Sequence, residues 1–125
     1  VRETSEAAGA AAAELVSRLD DSVGAAIRGR SLDAASVGVR RQAELRDLSD
    51  GDGYVEANLW TGIGRARSGA GAAIVGDPDE VVAKLEQYRS VGIDAFILSG
   101  YPHLDECDRV GRHVLPRLDH GHLAA

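Results

Sequence analysis

The sequence lacks several features, and each absence excludes a class of protein to which the chain could belong. No stretch approaches the ~20 consecutive apolar residues of a membrane-spanning helix, and no signal peptide is visible. Cys107 is the only cysteine, which excludes a disulfide framework and makes a reducing cytoplasm the expected location. Basic residues are too few for a general nucleic-acid surface, because 14 Lys and Arg stand against 20 Asp and Glu. Aromatic residues make up only 4% of the chain, so we expect a core of Ala, Val, Leu and Ile.

What is present is the composition of an ordinary globular protein. The 125 residues are 44% hydrophobic and 27% charged, which suits one small domain or a piece of a larger one. The sequence begins with Val1 rather than Met, and we therefore expect further residues upstream in the intact protein.

The N-terminal segment predicts a helix. Thr4 or Ser5 can cap it, and Glu6 in the first turn complements the helix dipole. Apolar residues at spacings of three or four give it a stripe that we expect to be buried, formed by Ala8, Ala11, Leu15 and Leu19.

The middle of the chain is less regular. A second helix is predicted over 32–48, and residues 49–71 show no sustained period of either 2 or 3.6. A segment of this length inside a compact domain is usually functional or disordered. It contains the only tryptophan, Trp60, which a solvated linker has little use for. We therefore expect 49–71 to be a mobile lid or an insertion loop.

The last third of the chain predicts a β-α-β unit followed by another helix. Residues 72–76 and 93–100 are short apolar runs typical of buried strands. Between them, Asp77, Pro78 and Glu80 form a helix-start signature with a capping box. Parallel strands covered by helices belong to doubly wound or barrel folds. A (β/α)8 barrel needs about 250 residues, so we predict an α/β chain that is the C-terminal part of a TIM barrel.

The remaining helix is predicted to begin near Pro102. Its buried face is expected to consist of Cys107, Val110, Val114 and Leu118. The acidic residues near its start complement the helix dipole, and they are Asp105, Glu106 and Asp108.

A glycine-rich stretch, GIGRARSGAG, resembles a phosphate loop only superficially. Its glycines precede a predicted strand instead of following one, so a dinucleotide or Walker-type site is not supported. The glycines do suggest a hinge that could bring Arg65 or Arg67 to an anion. The alternative is that both are solvated loop charges.

The turn containing Tyr101 and His103 is the other candidate site. It follows a predicted parallel strand and precedes a helix, which is where ligands bind in such folds. The free N–H groups of a helix start favour a negatively charged ligand. The residues leave open whether Tyr101 and His103 face a ligand or whether Tyr101 packs on a helix and His103 lies at the surface.

No metal site is predicted. His113, His120 and His122 lie late in the chain without converging ligands, and residues 119–125 are expected to be a frayed tail.

Residues 58–106 resemble bacterial alkanesulfonate monooxygenases, which belong to the luciferase-like superfamily. GDPDEV and GIDAF match motifs of the whole superfamily, whereas LWTGIGRAR and SGYPHLDE match the sulfonate branch. The likeness extends more weakly upstream to VRETSEAA.

The resemblance implies a TIM-barrel enzyme that uses reduced FMN (FMNH2) and O2. Such an enzyme converts an alkanesulfonate to an aldehyde and sulfite during sulfur scavenging. An NAD(P)H-dependent FMN reductase would supply the flavin, and the enzyme would be a homo-oligomer, usually a tetramer. No nucleic acid or membrane partner is implied.

The resemblance also assigns roles to matched residues. Arg67 would be catalytic and substrate-binding on the lid, Tyr101 would be catalytic beside the flavin, and His103 would bind the sulfonate. Arg65 matches a position that need not be basic. The family's flavin-pocket residues and a further catalytic arginine and histidine have no counterpart in this sequence, so the chain alone is predicted to be inactive. Another luciferase-like monooxygenase acting on a sulfone or alkane, and a non-catalytic truncated remnant, are the alternatives.

Overall fold

The computed structural model describes residues 1–30, 36–65, 71–119 and 121. These residues form five α-helices, three short strands and two 3-10 turns. The helices are α1 (Ser5–Val16), α2 (Asp21–Gly29), α3 (Val37–Asp47), α4 (Pro78–Ser90) and α5 (His103–His113). The strands are β1 (Tyr54–Glu56), β2 (Leu59–Trp60) and β3 (Ala73–Ile74), and the 3-10 turns are Gly62–Arg65 and Leu115–Arg117. None of the helices in these residues is long and apolar enough to cross a membrane.

The chain divides into two compact units. One consists of Val1–Ala8 with Gly76–Ala125, and the other is Gly9–Val75. An α/β composition is thus confirmed, although its arrangement differs from the prediction.

The unit Gly9–Val75 is built on a small antiparallel sheet. Its strand order is β1-β2-β3, and both strand pairs are antiparallel. Trp60 of β2 is 4% exposed and clusters with Ala12 and Val16 of α1. The segment predicted as an irregular loop therefore contains a hairpin and a 3-10 turn. Its proposed movement as a lid stays a prediction.

Helix α1 begins as expected but buries a different stripe. The Thr4 hydroxyl accepts a hydrogen bond from the Ala7 N–H at 3.2 Å, which confirms the cap. The buried residues of the helix are Ala8, Ala12 and Val16, which are spaced by four. Ala8 was therefore predicted correctly, whereas Leu15 is 44% exposed and lies off the buried stripe. The stripe was misplaced by about one position after Ala8, because alanine-rich faces are weakly distinguished by hydrophobicity.

Helix α2 was not predicted, and the second predicted helix is shorter than expected. Asp20 caps α2 by accepting hydrogen bonds from the Ser22 and Val23 N–H groups. Ser36 caps α3 through the Val39 N–H, while the start of the predicted helix lies outside the described residues.

The unit Val1–Ala8 with Gly76–Ala125 confirms helix α4 in detail. The Asp77 carboxylate accepts from the Glu80 N–H at 2.9 Å, and the Glu80 carboxylate accepts from the Asp77 N–H at 2.8 Å. Val81 and Leu85 are buried, and Gly92 has a positive φ of 95° just after the helix.

The predicted β-α-β unit does not form in the described residues. Residues 93–100 adopt no strand pairing, and Ile97 is fully exposed while Leu98 is 43% exposed. The first predicted strand is present as β3, but it pairs antiparallel with β2. The parallel arrangement was therefore wrong for this part of the chain, because an apolar run becomes a strand only where a neighbouring strand can satisfy its backbone.

Helix α5 lies where it was predicted, but its buried face differs. Val114 is fully buried as expected. Cys107 is exposed, whereas Glu106 is 9% exposed. Cys107 is therefore not a core residue, because the helix turns the neighbouring carboxylate inward.

Candidate functional site

The turn before α5 brings the two predicted ring side chains together. The ring centroids of Tyr101 and His103 lie 4.6 Å apart with their planes at 44°. Tyr101 is half-buried and His103 is exposed at the first position of the helix. A Cβ on Gly100 would come within 2.6 Å of the Glu106 Cβ. Glycine therefore allows this turn to lie directly against the first turn of α5.

The start of α5 has the electrostatics of an anion-facing helix end. Pro102 is the N-cap and provides no side-chain hydrogen bond to the helix. The first-turn N–H groups carry the positive end of the helix dipole, and they are available to an external acceptor. His103 adds an imidazole that can donate a hydrogen bond to the same ligand. Asp105 and Glu106 in the first turn oppose an anion unless their charges are compensated.

Glu106 is compensated by a cluster of cations. Its carboxylate accepts a hydrogen bond from the Val1 ammonium at 2.8 Å and another from the Arg2 guanidinium. Arg109 Nε lies 3.7 Å from the same carboxylate. Burial by itself would raise the pKa of Glu106, but the hydrogen bonds from the N-terminus and Arg2 outweigh it and leave the pKa below its ordinary value. Glu106 thus remains ionised in the 125-residue chain, and its charge is balanced by the cations around it. Asp105 is exposed, and its charge still opposes an anion at this helix start.

This cluster was not foreseen from the sequence. Glu106 was interpreted as a dipole complement, and no sequence pattern links it with Arg2, which is 104 positions away. Only the fold brings the two side chains together.

The third predicted site residue, Arg67, lies outside the described residues. Its assignment to a lid over the substrate therefore stays a prediction, as do the roles of Tyr101 and His103. Its neighbour Arg65 is described, and its guanidinium forms two hydrogen bonds of 3.0 Å with the carboxylate of Asp21.

The late histidines give no further site. His113 ends α5, and His120 and His122 lie outside the described residues. Within the residues that are described, no three His, Cys, Asp or Glu side chains are grouped as metal ligands.

A concave surface occurs in the unit Gly9–Val75. It is a cavity of about 560 Å³. Its charged lining residues are Arg46, Asp50, Asp52 and Arg65, and Trp60 and Thr61 contribute to its wall. No pattern in the sequence distinguishes Arg46 from the other charged residues of its helix.

The described residues alone do not fit a complete FMN. A bound ligand of drug-like size is usually covered over most of its surface by its pocket. Tyr101 and His103 offer one pair of rings, and His103 is exposed. Two cavities of about 560 and 510 Å³ in the described part of the chain are lined by neither residue. These side chains can contact one edge of a ligand or its anionic group, but they do not enclose a flavin.

The described residues define a small α/β protein with His103 at the start of α5. Comparison with known sequences shows which proteins it resembles. The chain is 63% identical over 123 residues to the sulfoquinovose monooxygenase of Novosphingobium aromaticivorans. That match covers 98% of this chain and 34% of the relative. It is 58% identical over 118 residues to the sulfoquinovose monooxygenase of Agrobacterium fabrum, covering 94% of this chain and 31% of that protein.

The chain thus spans about a third of the length of the curated relatives that it matches. No family model matches the chain.

Proposed function

We propose that the chain is the C-terminal part of a monooxygenase that releases sulfite from an organosulfonate. The 63% identity to a sulfoquinovose monooxygenase over 98% of this chain is the observation that carries the proposal. The geometry agrees with it, because an imidazole and free helix N–H groups suit a tetrahedral anion.

The substrate class that we propose is a sugar sulfonate of the sulfoquinovose type. Sulfoquinovose is a hexose that carries a sulfonate in place of its primary hydroxyl, so the same anionic group would meet Tyr101 and His103. An alkanesulfonate, which the sequence motifs suggest, is the second candidate. Both share the sulfonate and differ in the hydroxyl groups beside it.

The proposed reaction requires O2 and reduced FMN. One oxygen atom of O2 becomes the aldehyde oxygen on the carbon that carried the sulfonate, and the other is released as water. The carbon–sulfur bond breaks, and sulfite is released. Reduced FMN supplies the two electrons. We propose that an NAD(P)H-dependent FMN reductase regenerates it, that residues outside this chain hold it, and that the assembled enzyme is a homo-oligomer.

The proposal includes a (β/α)8 barrel of the luciferase-like type. The relatives are about three times as long as this chain, which is enough for a complete barrel. Residues 93–98 have the apolar pattern of a barrel strand, yet Ile97 is fully exposed here. In the complete protein this segment would pair with strands supplied by the rest of the barrel.

A chimeric enzyme tests this function. This chain would replace the matching third of the Novosphingobium relative, and sulfite release would be measured with FMN, NADH and an FMN reductase. We expect sulfite from sulfoquinovose, no sulfite when FMN or O2 is omitted, and none from the 125-residue chain alone.

The outcomes separate the candidates. Faster turnover of octanesulfonate than of sulfoquinovose would favour the alkanesulfonate assignment. A folded chimera that releases sulfite from neither substrate, beside an active parent enzyme, would contradict the proposed function.

A further inference from the structure

Arg46 is a partly buried charged side chain that has no hydrogen-bond or ion-pair partner among the described residues. It lies in the last turn of α3 and lines the 560 Å³ cavity of the unit Gly9–Val75. Within the described residues its guanidinium makes no hydrogen bond or ion pair. By contrast, Arg40 and Arg41 of the same helix both pair with Glu44 and are exposed. An unpaired guanidinium that is partly removed from water raises the free energy of the folded chain.

The surroundings of Arg46 make its positive charge less favourable. Partial burial and the nearby charge of Arg28 lower its pKa, and Asp47 opposes this only in part. A bound anion would relieve both effects, because it would replace lost hydration and offset the repulsion between the two guanidinium groups.

The other charged residues that line the cavity already have partners or are exposed to solvent. Arg65 is held by Asp21 through two hydrogen bonds of 3.0 Å. The Asp50 carboxylate accepts hydrogen bonds from the N–H groups of Asp52 and Tyr54 at 3.0 and 2.8 Å. Its charge is therefore already hydrogen-bonded within its own turn. The Asp52 side chain belongs to an exposed residue.

The wall beside these groups is preorganised. The Trp60 indole N–H donates to the Asp52 carbonyl at 3.2 Å, and the Thr61 hydroxyl donates to the Gly53 carbonyl at 2.9 Å. Both wall residues are buried. A volume of about 560 Å³ is within the usual range for small-molecule sites.

We propose that this cavity binds a small tetrahedral oxyanion through the guanidinium of Arg46. The chemistry is that of sulfate, phosphate or the head group of a sulfonate. This inference does not depend on the proposed monooxygenase activity, because it concerns binding by the described residues of one unit.

Trp60 provides the readout, since it is the only tryptophan of the chain and lines the cavity. The 125-residue chain would be titrated with sulfate, phosphate or methanesulfonate at constant ionic strength set with sodium chloride. We expect a saturable change in tryptophan fluorescence with at least one of these ions. The ion that binds most tightly identifies whether the site prefers a phosphate or a sulfur oxyanion.

Two variants assign the binding to Arg46. Arg46→Gln is expected to weaken the oxyanion by about tenfold or more, as loss of a charge-assisted contact does. Arg41→Gln removes the same charge from the same helix outside the cavity lining, and it is expected to bind as the parent does. Equal binding by the Arg46→Gln variant, or a fluorescence change that chloride reproduces, would overturn the proposal.

A measurement on the unaltered chain tests the assignment even if the Arg46→Gln variant does not fold. In the unaltered chain, the Arg46 Nε–H resonance should shift saturably with the same dissociation constant as the fluorescence change. An unshifted Arg46 signal at saturating oxyanion would also overturn the assignment.

Discussion

At the scale of single residues, Glu106 shows how charge is managed at the start of α5. Its carboxylate is buried, yet in the 125-residue chain it stays ionised because the Arg2 guanidinium and the ammonium of the first residue donate to it. The first turn therefore holds an acidic side chain without presenting that charge in full to a ligand. His103 and Asp105 are left as the exposed polar groups of this helix start.

The lowered pKa of Glu106 gives a pH prediction. A carboxylate whose folded pKa lies below its unfolded value of about 4.3 stabilises the fold above that pH. This stability is lost as the pH falls through the folded pKa. Glu106→Gln should therefore reduce the free energy of unfolding at pH 7 by about 1–3 kcal/mol, with a smaller deficit at pH 3.

Urea denaturation across this pH range would measure the effect. Glu86→Gln is the matched control, because Glu86 forms only an exposed pair with Arg89 and should change stability by less than about 0.5 kcal/mol. A Glu106→Gln deficit that stays constant down to pH 3 would contradict the ionised pairing.

His103 is predicted to act on the sulfonate group. In the chimeric enzyme, His103→Asn should raise KM for the sulfonate by about tenfold, the usual loss for one hydrogen bond to a charged group. His113→Asn, at the other end of the same helix, should leave KM unchanged. Steady-state sulfite release measures both, and equal effects of the two substitutions would remove His103 from the binding site.

At the scale of structural elements, the β1–β2 hairpin is shaped by close contacts around Trp60. A Cβ on Gly62 would collide with the indole ring, because Gly62 lies directly against it. Gly62→Ala should therefore destabilise the chain by about 1–3 kcal/mol through overpacking, measured by denaturation followed with Trp60 fluorescence.

Gly111→Ala is the control for this prediction. Gly111 lies within α5, and nothing lies within 4 Å of a Cβ built there. Alanine is favoured over glycine inside a helix by about 1 kcal/mol, so this substitution should stabilise. The prediction fails if Gly62→Ala is as stable as the parent.

At the scale of the whole molecule, segment 93–98 should have different environments in the isolated chain and in the complete barrel that we propose. In the isolated chain Ile97 is exposed, whereas in the barrel it would be buried in a strand. Ile97→Lys changes a fully exposed side chain here, so it should alter the stability of the 125-residue chain by less than about 0.5 kcal/mol. In the chimera the same lysine would enter the barrel and lower the melting temperature strongly, because an unpaired charge would be buried.

Val91→Lys provides the comparison, since Val91 is 77% exposed just after α4. It should be tolerated in both proteins. Differential scanning fluorimetry of the four variants is sufficient, and a chimera that tolerates Ile97→Lys as well as Val91→Lys would contradict the barrel assignment of this strand.

Predictions from the sequence were accurate where the interacting residues are close together in the chain, and they failed where the contacts are between distant residues. The capping box of α4 was predicted to the residue, because Asp77 and Glu80 are three positions apart and act locally. The helix after His103 was predicted for the same reason. The predicted burial of Cys107 was wrong, because apolar spacings of three and four cannot show that a buried ion pair will turn Glu106 inward.

The pairing of the strands could not be predicted, because a strand forms only when it pairs with another part of the chain. Residues 93–100 carry the apolar pattern of a strand, but the described structure gives them no pairing partner. The hairpin at Trp60 formed where no period was visible, because its strands are only three and two residues long. Such short elements are determined by contacts with α1 and β3, which lie far away in the chain.

The sequence by itself therefore determined the local features of this protein: the caps of its helices, the turn that joins Tyr101 to His103, and the motifs on which the resemblance to sulfonate monooxygenases rests. These depend on residues within a few positions of one another, where steric and hydrogen-bonding preferences act directly. Only the tertiary structure decided that Glu106 is buried against Arg2. It also decided that Arg46 lines a cavity with Trp60 and has no partner among the described residues. Those outcomes depend on which distant charges the chain brings together, and the energy of a charge is set by its burial and its neighbours rather than by its position in the sequence.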